Sequence, residues 1–395
     1  MQALRLATDV NQPRFALDEI MLVLVLVLSA CGVVMMGSAS MDFAAEKFGN
    51  PFYHLIRHGI YLAMGLVVMA ITVHIPLSLW NRAGPALLVA GILLLLLVLV
   101  PGIGRKINGA ARWIELPFFN VQPSELVKLF FVIYLAGYIQ RRQREISGTL
   151  GGMLKPVGLL GLAAALLLAE PDFGATVVIG GTVVGMLFVA GARLFPFGVL
   201  FGLVGSGVAA LAVFSPYRLK RLVTFLDPWQ DQFASGYQLV QALIAFGRGQ
   251  VAGVGLGNSV QKLFYLPEAH TDFVFAIIAE ELGLIGGVFF IGLFSALVGR
   301  ILWIGRTAAA RQQIFAANVC LGIALVIAGQ VFINIGVNAG LLPTKGLTLP
   351  FLSYGGSSLL ILFAMMGLVL RVEYELRTGN SGSAPPWLGW RVRNV

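Results

Sequence analysis

Apolar residues run through this chain in blocks too long for the core of a soluble domain. A helix crossing the hydrocarbon layer needs about 20 mainly apolar residues. Blocks near 20–40, 54–74, 84–101, 124–139, 155–170, 172–191, 194–214, 272–304, 313–340 and 356–372 meet or approach that length. Polar residues gather in short turns between them, except in two longer connections at 101–123 and 214–271. No block alternates with the period of two that a barrel strand requires. Backbone groups in lipid must bond within their own segment. The pattern therefore predicts an all-α integral membrane protein, a polytopic bundle of about ten transmembrane helices with a large extracytoplasmic loop between helices 7 and 8. In that loop, Tyr237 to Phe246 spaces Leu239, Ala242, Leu243 and Phe246 as a helix would. A short helix lying along the membrane surface is expected there.

Composition sharpens this reading. Of 395 residues, 58% are hydrophobic and only 11% charged, whereas soluble domains carry about 25% charged residues. Mean hydropathy is +0.88. The net charge of +9 does not point to nucleic acid, because no basic run is interleaved with aromatics. The 27 Lys and Arg instead separate apolar blocks, as membrane topology demands. The clearest topological signal is the short basic turn RRQREISG at 141–148, which places both termini in the cytoplasm. The first apolar block is too long for a signal-peptide core and reads as a retained span. The expected organisation is a cytoplasmic segment 1–19, a membrane domain 20–375 containing the 214–271 loop, and a short cytoplasmic tail 376–395. Cys31 and Cys320 lie in apolar blocks with no metal or disulfide spacing.

Ionisable side chains in a bilayer cost roughly 3 kcal/mol each and usually face an interior cavity. Three clusters stand at the outer ends of helices. In QPSELVK (122–128), Glu125 and Lys128 share a helix face. They are either a neutralising ion pair or a cation aimed at an anionic ligand, and Arg105, Lys106 and Arg112 add positive charge on the same side. In AEPDFGAT (169–176), Glu170 and Asp172 flank Pro171 at a turn, with either Asp172 capping the next helix or the paired acids binding a divalent cation. In LPEAHTDF (266–273), Asp272 is either a helix cap or a base or cation ligand facing a cavity, and capping leaves Glu268 and His270 unexplained. GVGLGN at 253–258 lacks the strand–turn–helix setting of a dinucleotide site. Walker, G-x-S-x-G and H-E-x-x-H motifs are absent, and nothing links Ser357 to His270 as a hydrolase pair. The residues alone lead to a membrane protein handling an anionic lipid, or a transporter with an outward polar site.

The strings NSVQKLFYLPEAHTDFVFAIIAEELG (258–283) and LPTKGLTLPFLSYGGSSLL (342–360) resemble the signatures of the SEDS (RodA/FtsW/SpoVE) family. QPSELVK, AEPDFGA and GYQLVQALIAFGRGQ (236–250) fit the same pattern in the same order, so the resemblance spans about 20–375. The KGLTLPFLSYGGSS wording is closer to the division branch of the family than to the elongation branch. One departure is Phe264, where many division-branch sequences carry an acid.

The resemblance implies peptidoglycan glycosyltransfer from lipid II, the undecaprenyl-diphosphate-linked disaccharide-pentapeptide, during septal wall synthesis at the inner membrane. It implies Asp272 as the essential aspartate and Glu125 with Lys128 as the buried pair. Asp272 is expected to act as general base, or to hold a divalent cation such as magnesium or manganese that acidifies the sugar hydroxyl. Lys128, Arg112, Arg218, Lys220, Arg221 and Lys345 are the candidates for holding diphosphate, with Glu125, Glu268, His270 and Ser353 completing the expected substrate site. Partners implied are a class B penicillin-binding transpeptidase of the FtsI kind and divisome proteins of the FtsQ, FtsL, FtsB and FtsN kind. The alternatives are a lipid II flippase and a non-catalytic scaffold that recruits a transpeptidase.

Overall fold

A computed structural model describes residues 17–107, 110–115, 120–192, 198–199, 202, 206, 225–343 and 346–379. Its helices are α1 (Glu19–Phe48), α2 (Tyr53–His74), α3 (Leu77–Leu99), α4 (Pro123–Gly148), α5 (Leu150–Ala169), α6 (Phe173–Val189), α7 (Tyr237–Gly249), α8 (Val274–Ala310), α9 (Ile314–Asn338) and α10 (Gly356–Thr378). By length and composition alone, α1, α2, α3, α5, α8 and α9 are each able to cross a membrane. Exposed Leu, Ile, Val and Phe line their outer faces, among them Val23, Ile60, Leu93 and Ile285. Such a surface is stable only against lipid. The protein is a multi-pass helical membrane protein. The block expected at 194–214 lies outside the described residues, apart from a few isolated positions.

Element ends depart from the sequence pattern for local reasons. α3 begins at Leu77 rather than near 84, because Pro76 precedes its first turn and the polar LSLWNRAG stretch is helical. α4 continues through the basic turn to Gly148, with non-helical backbone at Arg142. The 101–123 connection, expected as loop, folds into a small antiparallel sheet of β1 (Gly104–Ile107), β2 (Ala110–Glu115) and β3 (Asn120–Val121). An Asn-Gly pair, 108–109, separates β1 from β2 and is the standard hairpin signal.

α10 is the innermost helix, buried almost continuously from Leu362 to Leu376. Charged groups at its far end are paired. Arg371 is fully buried and donates to Glu375 Oε1 at 2.7 Å and to the Val73 carbonyl at 3.3 Å. Glu375 also accepts from the Leu77 N–H at 3.0 Å, fixing the α2–α3 turn. Asp18 caps α1 through the Met21 N–H at 2.7 Å and pairs with Arg300 of α8 and Arg377 of α10. Burial works to raise the Asp18 carboxyl, but hydrogen bonds from Arg300 and the Met21 N–H, with the charges of Arg300 and Arg377, hold it below its ordinary value. Such an acid stabilises the fold above its unfolded value near 3.8 and loses that contribution as pH falls further. Asp18→Asn is expected to cost about 3 kcal/mol, because two arginines lose their counter-charge. An apparent melting temperature lowered at pH 7, with the gap to wild type closing below pH 4, checks this.

Candidate active site

The opposite end of the bundle gathers the motif residues. α8 begins at Val274, and the segment 266–273 folds over its N-terminus. Two asparagines of α9 set that segment in place. Asn334 Nδ2 donates to the Asp272 carbonyl at 2.9 Å and to the Leu347 carbonyl at 2.6 Å. Asn338 Nδ2 donates to the same Asp272 carbonyl at 3.0 Å, while its Oδ1 accepts from the Ala276 N–H at 3.0 Å. The asparagines therefore satisfy groups of the helix start. Asp272 does not cap: α8 has no side-chain cap bond, and among the described residues the carboxylate accepts no hydrogen bond. Thr271 is turned to Glu268, donating to its Oε2 at 2.7 Å.

The Asp272 side chain is only partly covered by surface area, yet protein surrounds it. It lines a recess. Burial, then the Glu268 charge, push its carboxyl up to about 7, with Arg112 opposing and Asp172 adding a smaller upward push. A carboxyl in that range exchanges protons near neutrality. Gly346 packs beside it: a Cβ there would stand 2.9 Å from Asp272 Oδ2 and 3.9 Å from an Arg112 guanidinium nitrogen. The missing side chain lets the backbone approach both the Asp272 carboxyl and the Arg112 guanidinium. Gly346→Val is expected to leave folding intact and to cut turnover by about 100-fold, as a group displaced by an ångström does. Initial rates on the purified protein, beside its elution profile, check this.

Arg112 sits on β2 and bridges to the α5–α6 turn, with Nε donating to the Glu170 carbonyl at 3.2 Å and a second nitrogen to the Pro171 carbonyl. Asp172 caps α6 as expected, Oδ1 accepting from the Ala175 N–H at 3.2 Å. Its Oδ2 accepts from Ser124 Oγ at 2.9 Å and Gln122 Nε2 at 3.3 Å, which ties the α6 start to the α4 start. Glu170 is fully buried, and neither of its side-chain oxygens finds a hydrogen-bond partner among the described residues. Burial, then the Asp172 charge, push it up to about 8 against the pull of Arg112.

The other expected residues divide. Lys128 Nζ lies 2.8 Å from Glu125 Oε2 inside α4, with both side chains almost fully covered. His270 packs in an aromatic group with Phe43, His54 and Tyr354, and burial lowers its imidazole below the ordinary histidine value. Ser353 Oγ accepts from the Leu349 N–H at 2.8 Å inside its own turn. Arg218, Lys220, Arg221 and Lys345 lie outside the described residues. Among the described residues, no group of three or more His, Cys, Asp or Glu is arranged to hold a metal ion. Sequence reading missed Asn334 and Asn338. A lone amide in an apolar helix carries no signal beyond its cost in lipid.

Residues 18–378 match the FtsW/RodA/SpoVE profile, described as a cell cycle protein family. The chain belongs to this family. It is 54% identical over 358 residues to a probable peptidoglycan glycosyltransferase FtsW of Coxiella burnetii, covering 91% of this chain and 96% of that one. The corresponding protein of Pseudomonas fluorescens is also 54% identical, over 92% of this chain and 89% of its own length. Among solved structures, a chain of a peptidoglycan synthase complex that coordinates polymerization and crosslinking aligns with a TM-score of 0.74 at 31% identity, over 93% of this chain and all of that one. The rod shape determining protein RodA of Thermus thermophilus aligns with a TM-score of 0.68 at 29% identity, over 92% of this chain and 98% of its own. Family and fold agree, and this FtsW/RodA/SpoVE member keeps the Asp272 segment, the QPSELVK helix start and the Gly346 turn at one end of the bundle.

Proposed function

We propose that this chain polymerises lipid II into glycan strands during septal wall synthesis, with Asp272 as the general base. The chain is a peptidoglycan glycosyltransferase, as its family and its FtsW relatives indicate. The observation that carries the catalytic reading is an Asp272 carboxyl held near neutrality, with Gly346 packed close to both that carboxyl and the Arg112 guanidinium.

The reaction needs little else. The 4-oxygen of the acceptor sugar attacks the anomeric carbon of the donor, and its proton passes to an Asp272 oxygen. The bond from the anomeric carbon to diphosphate breaks, and both electrons leave with the diphosphate. A carboxylate near 7 is stronger than an ordinary aspartate as a base and is still ionised in useful amount at physiological pH. The diphosphate is already a good leaving group, so no acid is required. Arg112 supplies positive charge where negative charge develops. Its guanidinium is held by two carbonyls of the α5–α6 turn, so little reorganisation accompanies the step.

Both termini are assigned to the cytoplasm, with Asp272 at the outer face, which suits a substrate whose head group is exported and whose tail stays in lipid. A class B penicillin-binding transpeptidase is assigned as the partner, in line with the likeness to a chain of a synthase complex that couples polymerization to crosslinking. The test uses the purified protein in liposomes, with labelled lipid II supplied on one side. Gel-resolved glycan chains support the enzyme. Translocated but unpolymerised lipid II identifies a flippase.

A further inference from the structure

α8 is not one helix. At Gly283 the backbone turns to φ 66°, ψ −163°, splitting a short outer piece, 274–282, from the long inner span. The break frees backbone groups that a helix ladder would satisfy, and the extracytoplasmic loop takes them up. The Val254 and Gly255 N–H groups donate to the Glu280 and Glu281 carbonyls, both at 3.0 Å. From the other side of the break, the Leu284 and Ile285 N–H groups donate to the Gln250 and Val251 carbonyls at 2.9 and 3.1 Å. A side chain at Gly283 would collide with this splint, since its Cβ would stand 2.5 Å from the Val251 oxygen.

Two fully buried carboxylates reinforce the join. Glu280 accepts from Ser259 Oγ at 2.5 Å, from the Val260 and Gln261 N–H groups at 3.1 and 3.3 Å, and from Arg248 of α7 at 3.1 Å. Glu281 accepts from Ser38 of α1 at 2.6 Å and from Lys262 Nζ at 3.1 Å. Lys262 Nζ also donates to Ser38 Oγ at 3.1 Å and to the Gly257 carbonyl at 2.7 Å. The outer piece is thus held at both ends: by the clamp at 280–281, and by Asn334 and Asn338 at the Asp272 carbonyl.

We propose that Glu280 and Glu281 are positioning residues, which lock the extracytoplasmic loop across the break in α8 and so fix the tilt of the outer piece that presents Asp272. The helical residues from Val274 to Glu280 span about 9 Å, with Asp272 two residues beyond, so a small rotation at the clamp moves the carboxylate by a large share of an ångström. The inference rests on Asp272 acting as the base.

Glu281→Gln removes the charge that Lys262 and Ser38 bind, and Lys262→Met removes the cation. For each protein, amide exchange is followed by mass spectrometry over 250–262 and 280–285, and polymerisation of lipid II is followed to give kcat and KM. Exchange is expected to rise in both segments while kcat falls roughly 10- to 100-fold and KM stays within about twofold. Faster exchange with wild-type kcat makes the clamp structural only and overturns the proposal. A raised KM at wild-type kcat overturns it too, as does lost activity without faster exchange. If Glu281→Gln does not fold, Lys262→Met and Ser38→Ala carry the same readings. Should Asp272→Asn protein polymerise, the base assignment falls, while the exchange result on the clamp stands separately.

Discussion

Asp272→Asn is expected to abolish glycan polymerisation, by 1,000-fold or about that, and to raise the apparent melting temperature. The two effects share one cause. Lifting the carboxyl from 3.8 to about 7 makes its ionisation inside the fold costlier than in the unfolded chain, by roughly 4 kcal/mol at 1.36 kcal/mol per pH unit. The sign is the reverse of the Asp18 case. A raised acid carries no penalty below 3.8, accumulates one between 3.8 and about 7, and holds it constant above. The neutral, isosteric amide escapes this cost. The melting advantage of Asp272→Asn is therefore expected to be several degrees at pH 8 and to vanish near pH 4. A melting series across that range, with polymer gels on the same samples, reads both effects. An inactive protein that melts lower than wild type would make Asp272 structural.

The second large effect concerns Lys128 and Glu125. Removing one partner of a buried pair leaves the other charge uncompensated, which costs about 3–5 kcal/mol. Lys128→Met is expected to lose most of its folded yield in detergent, since Glu125 is 6% exposed. Replacing both partners, as Lys128→Met with Glu125→Leu, leaves no stranded charge and is expected to restore the yield. The double variant separates the two roles left open by the spacing of the pair. Recovery of folding with no recovery of polymerisation assigns the lysine to the diphosphate. Recovery of both makes the pair a neutralising contact inside α4. The first outcome is the expected one, because among the described residues Lys128 Nζ finds no hydrogen-bond partner of good geometry despite its contact with Glu125.

Much of this was legible in the sequence, for definite reasons. Lipid imposes a length rule on apolar helices, so α1, α2, α9 and α10 begin close to where the pattern places them. The capping role of Asp172 followed from its place after Pro171. Residues that act through the backbone were not legible. Asn334 and Asn338 look like isolated polar positions in an apolar helix, and only the fold brings them to the Asp272 carbonyl. Glu280 and Glu281 look like costly charges inside a span, until the break at Gly283 and the loop that fills it are seen. The sheet of β1 to β3 escaped because its strands are short, although the Asn-Gly pair at 108–109 signalled the hairpin. His270 and Glu268, conspicuous beside Asp272, divide between packing and charge. His270 joins an aromatic group, and Glu268 pushes Asp272 upward.

The central claim is that the proton of the attacking hydroxyl passes to a carboxylate that titrates near neutrality. The pH dependence of kcat/KM for lipid II polymerisation tests it most directly, because it reports the free enzyme. The account expects the rate to rise with unit slope from pH 5 and to level off above about 7, where Asp272 is ionised. A profile flat from pH 5 to 8 would contradict it.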